Sequence, residues 1–331
     1  MLILKTAIIT GIGGQDGAYL AALLIQHGYR VIGTTRSVSA FDDYRLRYLG
    51  ISDQVTLTRL NEINTASVTD LISLYKPAEI YNLAAQSSVG YSFQEPFETI
   101  QYNVMSVMSW LKAIADYAPH IRFYQASSSE MFGNISSDKL PLKENVIFHP
   151  ASPYGISKAA AHWLVVNYRE SHHLYGANGI LFNHESPLRG SGYVIKKILS
   201  HLVSVHRGQS SAMLKIGNTA IRRDWGYAPH YVEAMHQILQ QDIPDDYLIC
   251  SGNVMSLDEF IDTACKKLTL DRNLYLLSDP SLYRPNDLME IYGDPTKARE
   301  KLGWRHSLSN EALIDKLIEE EVKFQEWMSE D

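Results

Sequence analysis

Short apolar runs alternate with stretches of helical periodicity through the first half of the chain. The runs lie at Thr6–Thr10, Arg30–Thr35, Val55–Leu60, Glu79–Leu83 and Arg122–Ala126. Between them apolar positions recur at helical spacing, as at Leu20, Leu23 and Leu24 and again at Val107, Leu111 and Ile114. Strand–helix–strand alternation of this kind predicts an α/β protein with a parallel sheet covered by helices on both faces. Ligands of such sheets sit beyond the carboxyl ends of the strands, where strand order reverses. After about Gly179 the pattern loosens into mixed short runs punctuated by Pro and Gly. It closes with a polar, acidic helical stretch over Asn310–Glu330.

Composition narrows the class. The 331 residues are 45% hydrophobic, ample for a buried core. A formal charge of -7 leaves no basic stripe to neutralise phosphates, which argues against a nucleic-acid partner. Cys250 and Cys265 lack CxxC spacing, so they build neither a disulfide framework nor a Cys-type zinc site, and no metal is expected. Two unpaired cysteines suit a reducing cytoplasm. The opening MLILKTAIITG is interrupted by Lys5 and ends in a glycine turn, so it reads as a buried strand rather than a signal peptide. No later apolar stretch is long and uncharged enough to span a bilayer, and a soluble, cytoplasmic protein without a membrane partner is expected.

The first candidate chemistry is Gly11-Ile12-Gly13-Gly14-Gln15-Asp16-Gly17, between a predicted strand and a predicted helix. Glycines at 11, 14 and 17 let backbone N–H groups approach a pyrophosphate whose charge the helix N-terminus favours. Glycine turns also cap ordinary helices, but here both flanks match the Rossmann-type context. The expected division is therefore a doubly wound dinucleotide-binding domain over 1–178 and a smaller mixed α/β substrate-binding lobe over 179–331. Segments of the second part are expected to return to the first. At the end of the second strand, Arg36 suits the 2′-phosphate of NADP, where an NAD site carries an acid; an ordinary exposed arginine is the alternative.

Tyr154-Gly155-Ile156-Ser157-Lys158 places Tyr and Lys on one helix face, about one turn apart. An ammonium and a positive nicotinamide ring near the phenol are expected to lower the tyrosine pKa. Tyr154 can then take a proton from a substrate hydroxyl while hydride leaves the same carbon. Such a spacing is common by chance, and its position after five strands is what raises it. Ser127-Ser128-Ser129-Glu130 ends the fifth strand. Ser128 can bond a sugar hydroxyl beside Tyr154, or cap a turn. Glu130 can be a structural cap, or the base for a carbon acid.

Here the chain resembles the extended short-chain dehydrogenase/reductase superfamily, and within it the GDP-mannose 4,6-dehydratases. The resemblance rests on GIGGQDGAYL, on YNLAAQSSV at Tyr81–Val89, on FYQASSSEMFG at Phe123–Gly133 and on SPYGISK. It continues through VNYRES, GILFNHESPLRG at Gly179–Gly190, RDWG at Arg223–Gly226, Arg284-Pro285 and GDPTKAREKLGW at Gly293–Trp304. It implies a hydro-lyase of deoxysugar biosynthesis acting on a GDP-sugar. Tyr154 would remove the O4 proton as C4 gives hydride to NADP+, Glu130 would abstract the C5 proton, water would leave from C6, and the hydride would return there. Ser128 and Lys158 complete the catalytic set, Ser128 standing where the family has threonine.

The resemblance carries over further positions. For the cofactor they are Gly11, Gly13, Gly14, Gln15, Asp16, Gly17, Arg36, Ser39, Asn61, Glu62, Leu83, Ala84, Ala85, Gln86, Ser87, Lys158, His184 and Arg189. For the sugar nucleotide they are Ser87, Ser128, Asn183, Lys197, Gly217, Asn218, Arg223, Arg284 and Asp287, where forked arginine donors suit a diphosphate. His184 could equally be a satisfied buried histidine, and Trp225 reads as packing. The family forms dimers or tetramers, and helices around Tyr102–Tyr117 and Ala159–Tyr175 would be the packing surface of a homodimer or homotetramer.

Departures from the family pattern cluster where substrate is held. Ser37 replaces a second arginine, Asn61-Glu62 an Asp and an apolar residue, Ala151 an arginine and Asp287 a glutamate. Gly190–Lys197 reads GSGYVIKK rather than GxxFVTRK. The sugar is thus open between mannose and another hexose or heptose, and NAD stays open beside NADP. A GDP-sugar 4-epimerase, 4-keto reductase or decarboxylase uses the same fold, as could a non-catalytic NADP sensor. Glu130 disfavours the epimerase, the reductase and the sensor, none of which needs that acid.

Overall fold

A computed structural model describes residues 4–60, 64–283 and 286–330. The first half alternates β1 (Thr6–Thr10), β2 (Arg30–Thr35), β3 (Val55–Arg59), β4 (Glu79–Asn82), β5 (Arg122–Ser128) and β6 (Gly176–Leu181) with helices. These are α1 (Gln15–Gln26), α2 (Tyr44–Tyr48), α3 (Thr65–Tyr75), α4 (Val89–Gln94), α5 (Pro96–Tyr117) and α6 (Pro153–His172). There follow β7 (Asn183–Glu185), α7 (Val194–His206), β8 (Leu214–Ile216), β9 (Arg222–Tyr227), α8 (Ala228–Gln240) and β10 (Asp246–Ile249). The chain closes through β11 (Val254–Ser256), α9 (Leu257–Leu268), α10 (Arg272–Tyr275), β12 (Leu276–Ser278), β13 (Glu290–Ile291), α11 (Thr296–Leu302) and α12 (Asn310–Glu330).

Seven strands form one parallel sheet in the order β10-β6-β5-β4-β1-β2-β3, winding outward from β1 in both directions. Alternate residues feed opposite cores, as the two-residue period of a strand requires. In β1, Ala7 and Ile9 pack with Leu20 and Leu24 of α1 and Met235 of α8. Ile8 faces the other way, to Trp110 and Leu111 of α5 and Val165 of α6. Ile80 and Tyr81 divide in the same manner, as do Phe123 and Tyr124. With both faces covered, the strands need continuous apolar sequence, the pattern read along the chain.

Two boundaries differ from expectation. The division between 178 and 179 falls inside β6, which bonds β5 on one side and β10 on the other. A strand held by main-chain bonds on both edges cannot leave the sheet, so β6, β10 and α8 belong to the first body. β5 also runs on to Ser128, because Ser127 and Ser128 pair with Ile180 and Leu181. The second lobe holds β9 flanked by antiparallel β11 and by parallel β13 and β7, with β8 paired to β12. Its core gathers Ile198, Leu202, Trp225, Phe260, Leu313 and Leu317 from α7, β9, α9 and α12. Trp225 is packing, 2% exposed. Among the described residues no helix is long and apolar enough to cross a membrane.

Candidate active site

The turn between β1 and α1 is shaped by close approach. Gly11 has φ +73°, and a Cβ there would lie 2.9 Å from the Ala84 nitrogen. A Cβ on Gly17 would lie 2.3 Å from the Gly11 carbonyl oxygen, so α1 can start only where a side chain is missing. Gly14 caps α1 without a side chain, leaving first-turn N–H groups free of any intrahelical or side-chain acceptor. Gly11, Gly14, Gln15, Asp16 and Gly17 line a cavity of about 480 Å³ at the carboxyl ends of the strands. At Gly13 the missing side chain makes room for Phe41, since a Cβ there would meet Cε2 of that ring at 2.9 Å.

On the far wall, α6 begins at Pro153, with the Ser152 hydroxyl accepting from the Gly155 N–H at 3.0 Å. A Cβ on Gly155 would lie 2.7 Å from the Glu130 carbonyl oxygen, so this glycine lets the end of β5 sit on the start of α6. Tyr154 is bonded to the Ser128 side chain. Ser128 also accepts from the Glu130 N–H at 3.2 Å, so it is turn cap and phenol partner together. Lys158 Nζ donates to the Ala126 carbonyl at 2.8 Å and lies 5.8 Å from the Tyr154 ring centroid. Asn103 braces the helix by donating to Ser157, whose hydroxyl bonds the Tyr154 carbonyl.

The expected lowering of the Tyr154 pKa does not come from the protein groups. Burial raises it, with Tyr193 and Glu130 adding to the rise and the Ser128 hydrogen bond opposing it. Burial likewise brings Lys158 down to about 8, with the Asp16 charge opposing. Desolvation of the phenolate outweighs the Ser128 hydrogen bond and the Arg189 charge, which both favour it.

Other candidate residues fall into four groups. Leu83, Ala85, Ser87, Asn183, His184 and Arg189 line the same cavity. His184 is buried, stacked on Tyr231 with centroids 4.5 Å apart and 3.0 Å from both Asp16 carboxylate oxygens. Gln86 is a brace instead: its amide donates to Thr99 Oγ1 at 2.9 Å and to the Ser88 carbonyl at 3.1 Å. Ala84 backs the Gly11 turn. Arg36 and Ser39 are exposed just beyond β2. Asn61, Glu62 and Arg284 lie outside the described residues.

The sequence model of the GDP-mannose 4,6 dehydratase family matches residues 8–317. The chain belongs to this family. GDP-mannose 4,6 dehydratase 2 of Arabidopsis thaliana is 40% identical over 329 residues, covering 96% of this chain and 87% of that protein. The GDP-mannose 4,6 dehydratase family shares its fold with other sugar-nucleotide enzymes. The UDP-glucose 4-epimerase of Thermotoga maritima, solved with UDP-glucose, superposes with a TM-score of 0.84 at 23% identity, covering 98% of this chain and 100% of that one. The dTDP-glucose 4,6-dehydratase of Bacillus anthracis, solved with NAD, gives 0.83 at 18% identity over 98% of each chain.

Of the positions expected to hold substrate, Lys197, Gly217, Asn218, Arg223 and Asp287 lie in the second lobe and are not among the residues that line this cavity. Arg223 is 4% exposed, with Nη2 at 4.0 Å from Asp287 Oδ1. Lys197 donates to the Lys215 carbonyl at 3.2 Å. Gly217 accepts from Ser278, and Asn218 accepts from the Ala220 N–H at 3.0 Å. Arg45 and Tyr193 are among the cavity residues that the sequence reading did not single out. Arg45 donates to the Gly13 carbonyl and to the Leu188 carbonyl, each at 2.8 Å, strapping the glycine turn to the loop after β7. Tyr193, within the divergent Gly190–Lys197 segment, bonds Ser87 at 2.6 Å.

Proposed function

We propose that the chain is a GDP-sugar 4,6-dehydratase, a hydro-lyase that converts a GDP-hexose such as GDP-mannose to its 4-keto-6-deoxy derivative with NADP. Membership of the family supports the reaction. The observation that carries it to this site is that Glu130 shares one cavity with Ser128, Tyr154 and Lys158. The glycine turn fits a dinucleotide, because its uncapped helix start offers N–H groups to a pyrophosphate and no side chain intervenes. Arg36, exposed beyond β2, suits a 2′-phosphate. Held by the glycine turn and Arg36, the cofactor would supply a hydride acceptor for C4 and a hydride donor for C6.

Around that exchange the chain's own residues move protons. Tyr154 takes the O4 proton, helped by Ser128 and the Lys158 ammonium. The resulting 4-ketone acidifies C5–H, and Glu130 takes that proton as hydroxide leaves C6. Glu130 passes that proton to the leaving hydroxide to make water, and after hydride arrives C5 takes a proton from Tyr154, directly or through solvent, which restores both residues. Atoms balance as loss of one water with no net change in cofactor. Arg223, with Asp287 beside it, supports a grip on the diphosphate.

The test is substrate mass and isotope position. Incubation with a panel of GDP-sugars should yield a product one water lighter, with deuterium placed at C4 recovered at C6 of the same molecule. Unchanged mass with inverted C4, or stoichiometric NADPH oxidation, would overturn this reading in favour of epimerase or reductase. The exposed apolar residues Phe97, Ile100 and Met105 on α5 and Ile156 and Trp163 on α6 support self-association through that face as a homodimer, or a homotetramer built from it.

A further inference from the structure

Tyr193 stands at the cavity wall that also carries Tyr154 and Glu130, and no step of the reaction uses it. Its backbone is fixed, because it is the residue before α7 and its carbonyl accepts from the Lys197 N–H at 2.8 Å. The ring is fixed too. The Arg189 guanidinium carbon lies 3.8 Å from its centroid, a cation–π stack, and one edge of the ring runs beside Gly190. The hydroxyl reaches across from the second lobe to Ser87 Oγ at 2.6 Å.

Two hydroxyls that share one hydrogen bond keep one further O–H donor and spare lone pairs between them. A sugar hydroxyl is donor and acceptor at once, so it complements this pair as an aliphatic or charged group would not. The phenol is held on three sides before any ligand arrives, which keeps the ordering cost of such a contact low. We propose that Tyr193 is a specificity residue: its hydroxyl, presented by Ser87, hydrogen-bonds one ring hydroxyl of the hexose and selects among GDP-sugars. The inference rests on the GDP-sugar reading of the site.

The test is binding, measured by calorimetry on the NADP-loaded protein, with wild type and Tyr193→Phe compared. The ligands are GDP-mannose, GDP, and GDP-mannose analogues each lacking one ring hydroxyl. Tyr193→Phe should weaken GDP-mannose by roughly five- to tenfold, the range of one neutral hydrogen bond, and leave GDP unchanged. One deoxy analogue should bind equally to both proteins, which closes a cycle between one protein oxygen and one sugar oxygen. Ser87→Ala should show the same selective loss, and where either variant no longer retains NADP all three proteins are compared without cofactor. Unchanged GDP-mannose affinity, equal weakening of the parent and every analogue, or loss of GDP affinity would each overturn the inference. Wild type that binds no GDP-hexose overturns both readings, whereas binding without dehydration overturns the dehydratase reading alone.

Discussion

His184 Nε2 lies 3.0 Å from each carboxylate oxygen of Asp16, tying the first strand of the second lobe to the first turn of α1. Its other ring nitrogen is 2.7 Å from the Phe182 carbonyl, so the ring is held at both ends. Burial alone would raise the Asp16 pKa; the charge and hydrogen bond of His184, with Arg189 beyond, overcome burial and hold it well below the usual carboxylate range. A carboxyl depressed on folding stabilises the native state above its unfolded pKa near 4, and that stability drains as pH falls towards the folded value. The wild type should therefore lose stability more steeply below about pH 4 than Asp16→Asn. Urea midpoints between about pH 3 and 7 check this, and parallel slopes for the two proteins would sink it.

Lys158 presents the opposite sign. Burial brings its pKa from the model-peptide value near 10.5 down to about 8, so an ammonium buried below pH 8 costs native stability. The cost fades as pH rises from about 8 towards 10.5, where the folded and then the unfolded lysine are both neutral. Lys158→Met should raise stability near pH 7 by about 1–2 kcal/mol, net of the lost bond to Ala126, while activity falls by at least about a hundredfold. Urea unfolding near pH 7 and near pH 9.5 should show the gain shrinking at the higher pH. A variant that is less stable at both would show that the lysine's hydrogen bond outweighs its desolvation.

Much of the first body was legible because its chemistry is local. The inner strands of the sheet bury both faces, so apolar runs mark them, and Tyr154 and Lys158 meet through the spacing of one helix. Glycine spacing located the dinucleotide turn but could not say what each missing Cβ admits: at Gly13 it is the Phe41 ring. Arg45 and Tyr193 were invisible for a different reason. Their partners are the Gly13 and Leu188 carbonyls and the Ser87 hydroxyl, which lie far from them in sequence and come near only through tertiary packing. The expected boundary near 178 falls within β6, and β10 is one of the segments that return to the first body, a pairing whose position nothing within β6 announces.

Arg36 is exposed at the carboxyl end of β2, the position from which a side chain meets the adenosine ribose in this fold. Ser37 follows it where a second arginine would have doubled the charge. One guanidinium on a 2′-phosphate is worth a charge-assisted bond or two, so Arg36→Ala should weaken NADP by about tenfold to a hundredfold. NAD, lacking that phosphate, should bind the two proteins alike. Fluorescence titration of both dinucleotides checks this, and an equal loss for NAD would remove the phosphate-reading role.

Glu130 is the residue on which the reaction class turns. Its backbone N–H is bonded to Ser128 Oγ and its carbonyl lies against Gly155, so its main chain is fixed between β5 and α6, at the wall that carries Tyr154. Glu130→Gln keeps the volume and removes the base. Tyr154, Ser128 and Lys158 are untouched, so the variant should still oxidise the sugar at C4. Reduced-nicotinamide absorbance should then rise in a burst on mixing with a GDP-hexose and persist. Dehydrated product should form at least about a hundredfold more slowly, the contribution usual for a positioned base. An epimerase or reductase on this scaffold would keep its turnover in Glu130→Gln, because neither needs a proton taken from C5. Elimination at the wild-type rate would move the base elsewhere in the cavity.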